Sequence, residues 1–196
     1  EIEKMNESDR TYCHEIMESQ KFSLRKIGID ITWEVKVAII AAGNPKKSRW
    51  DPELSINENI TLPDSIMSRF GLMFLIRDQP SKQHDLDIAK HIMKVRRGEI
   101  IPELEPEMIT KFIIYAKTLN PTISEDVDET LLNWWSDLRE VVQKDGSVAV
   151  DIRTYEDLVR LTQAYARLHL KEEADIGDAN DAIKLLNVSL HTLGMD

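Results

Sequence analysis

Val35-Lys36-Val37-Ala38-Ile39-Ile40-Ala41-Ala42-Gly43-Asn44-Pro45 is the stretch on which the fold turns. Interrupted only by Lys36, its first eight residues are apolar and rich in β-branched side chains. That pattern predicts a strand buried on both faces of a parallel sheet. Gly43-Asn44-Pro45 ends the run abruptly, because proline has no N–H to give a ladder and glycine and asparagine favour turns. The Asn44 amide is therefore expected just past the end of a strand. Further on, Thr61-Leu62-Pro63 sets a proline near the first turn of a helix to about Phe70, and Leu72-Met73-Phe74-Leu75-Ile76 predicts a second buried strand. Strand, loop, helix, strand is an α/β pattern, and it carries Arg69 at the end of its short helix.

Upstream, Tyr12, Cys13, Ile16 and Met17 recur at helical spacing and predict an amphipathic helix from Ser8 to Gln20. Phe22 and Leu24, then Ile31 and Trp33, flank Ile27-Gly28-Ile29 and predict a β-hairpin with Lys26 at its tip. Beyond Arg77-Asp78-Gln79-Pro80 the strand signal fades. Helices are expected over 82–97, 106–118 (opened by Pro106), 124–143 (capped by Ser124), 154–170 (capped by Thr154) and 178–191 (capped by Asp178). The chain thus divides into a partial α/β core, 1–80, and an all-α lid, 81–196.

With 196 residues and 42% hydrophobic content the chain is long enough for a real core. Its formal net charge of -10 disfavours wholesale binding to nucleic acid or membrane. The charge is uneven. Lys21 to Trp50 carries seven basic residues against two acidic ones and suits a phosphate backbone, whereas Thr122 to Asp145 carries seven acids against Arg139 and Lys144. The single Cys13 forms no internal disulfide, and no apolar run approaches 18 residues. A cytosolic or nuclear protein is expected, with no membrane partner. Because the chain opens on Glu1, inside what reads as a motif, a fragment is expected.

Taken in order, Glu1-Ile2-Glu3-Lys4-Met5, Ser23-Leu24-Arg25-Lys26-Ile27-Gly28-Ile29, Ala41-Ala42-Gly43-Asn44-Pro45, Asn59-Ile60-Thr61-Leu62-Pro63 and Ser68-Arg69-Phe70 closely resemble the minichromosome maintenance (MCM) replicative helicases. The likeness runs on through Arg153 to Leu170 and covers essentially the whole chain. It implies the C-terminal part of the ATPase domain of a hexameric, DNA-translocating AAA+ enzyme, with a presensor β-hairpin and a helical lid. ATP and Mg²⁺ are the implied cofactors of the full-length protein. DNA, bound without regard to sequence, and identical or related MCM subunits are the implied partners.

The resemblance also implies roles. Glu1 matches the acid that polarises the attacking water, its Mg²⁺-binding neighbour falling just upstream. Asn44 matches the sensor that positions this water, a task suited to an amide that donates and accepts at once. Arg69 matches the arginine finger and Arg153 the lid arginine called sensor two, both acting on a neighbour's nucleotide. Lys26, assisted by Arg25, matches the basic group that grips DNA in the central channel. The Gly-x-x-x-x-Gly-Lys-Ser/Thr phosphate loop does not occur in these residues, so the isolated polypeptide is expected to be inactive. A truncated, non-hydrolysing homologue that binds DNA or other ring subunits is the alternative. The short loop after Asn44 resembles archaeal members more than eukaryotic ones.

Other features are assigned to packing. Cys13 and His14 point about 100° apart on a helix, wrong for a dyad, and His84 and His91 lack further ligands for zinc. Trp134 and Trp135 are expected to divide between the core and partial exposure. Gly71, Gly43 and Tyr155 stand where the family commonly has aspartate, alanine and leucine.

Overall fold

The structure, a computed structural model, describes residues 2–47, 49–51, 53–54, 56–76, 81–145 and 150–192. The chain falls into two compact units, Glu1–Gly71 and Leu72–Asp196.

The first unit opens with a 3₁₀ turn, Ile2–Lys4, and helix α1, Glu7–Ser19. The Asn6 side chain accepts the Asp9 N–H at 2.8 Å, and Glu7 and Asp9 place acid where the helix dipole favours it. α1 ends at Gln20, whose φ of 52° turns the chain into a hairpin of β1, Lys21–Lys26, and β2, Ile29–Glu34. The register pairs Phe22 with Trp33, Leu24 with Ile31 and Lys26 with Ile29 on one face. Phe22 stacks on Trp33 at 5.7 Å and meets Tyr12 of α1 edge-on at 5.2 Å. The other face is polar, with Ser23 facing Thr32 and Arg25 paired with Asp30 at 3.5 Å. Gly28 supplies the left-handed backbone (φ 82°) that closes a two-residue loop. Two short helices follow, α2, Ile56–Asn59, and α3, Asp64–Met67, the latter burying Ile66 and Met67.

In the second unit, α4 spans Lys82–Arg96 and α5 spans Pro106–Ala116, with Pro106 in its first turn. The compact part is a three-helix assembly of α6, Glu125–Asp145, α7, Ile152–Leu168, and α8, Ile176–Thr192. Val127, Leu131, Leu158, Ala179, Ala182 and Leu186 form its core, with Leu72, Trp134 and Tyr155 packed against them. Ala179 and Ala182 are the small residues that α8 places in this core. Trp135 sits at the margin, its Nε1 donating to the Asp151 carbonyl at 3.0 Å and its ring under the Arg139 guanidinium.

Several expectations need correction. Neither 35–42 nor 72–76 forms a strand; Ile40 and Ile76 are 99% and 93% exposed. An extended run becomes a sheet strand only when a neighbouring strand bonds at least one of its edges, and among the described residues no strand lies alongside either run. Residue 73 instead borrows one rung from α8: the Met73 N–H donates to Ser189 Oγ, which in turn donates to the Met73 carbonyl, each at 2.9 Å. The lid is also not purely helical. Two-residue strands β3, Thr122–Ile123, and β4, Glu173–Ala174, pair in parallel. Helix α7 begins at Asp151, whose carboxylate accepts the Arg153 N–H at 2.9 Å, so Thr154 is not its cap. α8 begins after Asp175, and Asp175 and Asp178 exchange N–H to carboxylate bonds at 3.0 and 3.1 Å, a reciprocal capping box with Asp178 inside the helix.

Candidate functional site

In the first unit, chain segments far apart in sequence converge around Asn44. The Ile2 N–H donates to the Ala42 carbonyl at 3.1 Å, which lays the N-terminal turn against the end of the apolar run. Arg10 of α1 holds that turn from behind, Nη2 donating to the Glu3 carbonyl at 2.8 Å. The result places the Glu3 carboxylate against Asn44, whose Nδ2 donates to Oε1 at 3.5 Å. The Glu3 carboxyl is held below the usual carboxylate range, chiefly by a hydrogen bond from its own backbone N–H. Burial opposes this, and the backbone and side chain of Asn44 reinforce it.

A cleft of about 490 Å³ opens beside this pair, lined by Glu3, Lys4, Asn44, Pro45, Lys46 and Thr61. Behind one of the lining residues, Lys46, stands Asn59, which is only 3% exposed. Asn59 Oδ1 accepts the Asp51 N–H at 2.9 Å, and Nδ2 donates to the carbonyls of Asp51 and Leu54 at 2.9 and 3.1 Å. The Asn59 carbonyl accepts the Lys46 N–H at 2.8 Å, so one buried amide folds the loop that carries Lys46.

Two lysines, an amide and a hydroxyl are donors suited to the terminal phosphate of a nucleotide. The Glu3 carboxylate lines the same cleft, and a Gly-x-x-x-x-Gly-Lys-Ser/Thr phosphate loop is not among these residues. Among the described residues no group of three or more His, Cys, Asp or Glu side chains is placed to hold a metal ion.

Arg69 has its own environment. Its Nη2 pairs with Glu18 Oε2 of α1 at 2.8 Å, Nη1 donates to the Ser65 carbonyl, and the side chain is 11% exposed. Its Nε is buried with no partner among the described residues. Arg25 is engaged by Asp30, while Lys26 stands at the end of β1 beside Ile27, which is 106% exposed at the tip. In the second unit, Arg153 occupies the second position of α7. Glu1 lies outside the described residues. Sequence reasoning singled out neither Glu3, Glu18 nor Asn59 as a site-shaping side chain. Glu3 and Asn59 stand inside the motif runs and were within reach; Glu18 carries no local signal.

A family model described as the MCM P-loop domain matches residues 1–96, and one described as the MCM AAA-lid domain matches 107–190. The "Minichromosome maintenance protein MCM" of Saccharolobus solfataricus is 35% identical over 200 residues, covering 100% of this chain and 29% of that protein. The "DNA replication licensing factor mcm7" of Schizosaccharomyces pombe is 35% identical over 203 residues, covering 98% and 27%. The "DNA replication licensing factor MCM4" of Arabidopsis thaliana is 34% identical over 205 residues, covering 100% and 24%. The chain thus spans between 24% and 29% of the length of these relatives.

Proposed function

Because this chain belongs to the minichromosome maintenance (MCM) family, we propose that it is part of the ATP-driven motor of a hexameric replicative DNA helicase, coupling ATP hydrolysis to translocation and unwinding. The observation that carries this reading is the placement of Asn44. Its amide stands at the end of the apolar run, held by a carboxylate and facing a cleft with lysines on its border. An amide so placed suits orienting a water against a terminal phosphate. ATP with Mg²⁺ supplies the transferable phosphoryl group, and the phosphate loop and the Mg²⁺-binding acid would come from elsewhere in the full-length protein.

In this proposal Glu1 polarises the attacking water and Asn44 positions it within one subunit, while Arg69 and Arg153 neutralise charge at the neighbouring subunit's site. Lys26 and Arg25 at the hairpin tip grip the DNA backbone, and contact with phosphate suits a motor that must run on any sequence. Core and lid are assigned to 1–80 and 81–196, and the exposed apolar faces of 35–42 and 72–76 to strands completed by neighbours in the full-length protein. The partners are DNA and identical or related MCM subunits, in the cytoplasm of an archaeon or a eukaryotic nucleus. No helix among the described residues is long and apolar enough to cross a membrane.

Subunit doping tests the division of labour. Full-length Arg69→Ala, present in every subunit, should abolish hydrolysis and leave nucleotide binding nearly intact. In rings mixed from Arg69→Ala and Asn44→Ala subunits, activity should reappear at interfaces that pair an intact Asn44 with an intact neighbouring Arg69. Mixed rings no more active than either parent would overturn the assignment of the two residues to different sites.

A further inference from the structure

The residue that decides which way the Asn44 amide faces is Glu3. Asn44 meets the Glu3 carboxylate through Nδ2, 3.5 Å from Oε1, and its backbone N–H helps hold that carboxyl below the ordinary range. The other carboxylate oxygen, Oε2, is buried and has no hydrogen-bond partner among the described residues. It lies over the α-carbon of Gly43, where a Cβ would sit 2.8 Å from Oε2 and 3.4 Å from the Ile2 Cγ2. Gly43 does not adopt the left-handed backbone that would by itself require glycine. What the position supplies is room.

We propose that Glu3 is a positioning residue for Asn44, and that Gly43 is the space that lets the Glu3 carboxylate reach it. The proposal deepens the sensor reading of Asn44 and rests on it for its functional meaning. An amide whose Nδ2 is committed to a carboxylate presents its other end, the carbonyl Oδ1, as the free acceptor. A water entering the cleft would donate to that oxygen, which leaves a lone pair of the water directed away from Asn44. Without Glu3 the amide could turn over and offer N–H instead, since the two ends have nearly the same shape. The supports for Glu3 are independent of Asn44: Arg10 fixes its carbonyl, and Ile2 ties the turn to Ala42.

A Cβ at position 43 meets the end of a flexible side chain rather than backbone, so Gly43→Ala should displace the carboxylate without unfolding the unit. The test uses the full-length protein and nuclear magnetic resonance of the selectively labelled Asn44 side-chain amide. Glu3→Ala and Gly43→Ala should each move the Asn44 Nδ2 resonances, and the double variant should move them no further than Glu3→Ala alone, because both changes break the same contact. In the unsubstituted chain the same resonances should shift with pH as Glu3 protonates, and this dependence should vanish in Glu3→Gln, a readout that needs neither alanine variant to fold. Additive effects in the double variant, or an amide indifferent to Glu3 protonation, would overturn the proposal. If the coupling is found but Asn44→Ala leaves hydrolysis by the assembled full-length ring unchanged, the sensor reading falls and the positioning of Asn44 by Glu3 stands.

Discussion

Replacing Asp178 with alanine removes a heavily bonded carboxylate of the lid. The side chain is fully buried. Oδ1 lies 2.6 Å from His169 Nδ1 and 3.1 Å from Lys171 Nζ, and Oδ2 lies 3.0 Å from both Lys171 Nζ and the Asp175 N–H. These bonds join the end of α7, the turn after it and the start of α8. The capping bond to Asp175 contributes about 1 kcal/mol. The bonds to His169 and Lys171 contribute roughly 0.5–1 kcal/mol each, because those side chains are 42% and 34% exposed and regain water once released.

The expected loss is therefore about 2–3 kcal/mol, or roughly 6–10 °C in the melting temperature of a unit this size. Burial raises the Asp178 pKa, but hydrogen bonds from Asp175, His169 and Lys171 outweigh it and leave the carboxyl below its ordinary range. The unfolded chain therefore binds the proton more readily, so the stabilisation is fully present above about pH 4 and fades as pH falls through the lower folded value. Amide hydrogen exchange along α7 and α8 reads the lid alone. An Asp178→Ala chain whose α8 amides keep their protection to within about 0.5 kcal/mol, within the range of an ordinary surface substitution, would refute the account.

Two further outcomes follow from the lid. Burial, and then the hydrogen bond and charge of Asp128, push the Tyr155 hydroxyl up to about 12. Tyr155 therefore adds stability below about pH 10 that is lost as pH rises through its folded value, and Tyr155→Phe should abolish the last step in a tyrosinate absorbance titration. Leu170 sits at φ 56° in a Schellman turn, with Leu170 N–H to the Arg167 carbonyl at 3.0 Å and Lys171 N–H to the Ala166 carbonyl at 2.9 Å. Leu170→Gly should therefore stabilise the lid by about 0.5–1 kcal/mol in urea unfolding, through relief of left-handed strain; a destabilised variant would show that the leucine side chain outweighs its strain.

How much of this protein could be read from its residues depended on how local the controlling forces are. The hairpin was legible because alternation of Phe22, Leu24, Ile31 and Trp33 and a glycine at the turn specify register within fifteen residues. α5 was legible for a similar reason, since Pro106 marks its start. The helix starts at Asp151 and Asp175 were misread by a few positions because several capping residues stand close together, and only the geometry of each carboxylate shows which N–H it accepts. Val35 to Ala42 failed differently. Its residues specify that it wants burial on both faces, but pairing is a property of neighbours, and among the described residues no strand pairs with it.

By itself, the order of short motifs determined the family and nominated Asn44, Arg69, Arg153, Arg25, Lys26 and Glu1, because chemistry-bearing side chains are spaced along the chain by the elements that present them. What only the tertiary structure decided is which side chains hold those groups. Glu3 reaches Asn44 across 41 positions and Glu18 reaches Arg69 across 51. A carboxylate near the chain's start says nothing in sequence about which amide it will orient. That assignment requires the turn at Ile2–Lys4 to be bound to Ala42 and a glycine at 43 to leave room, and both are facts of packing.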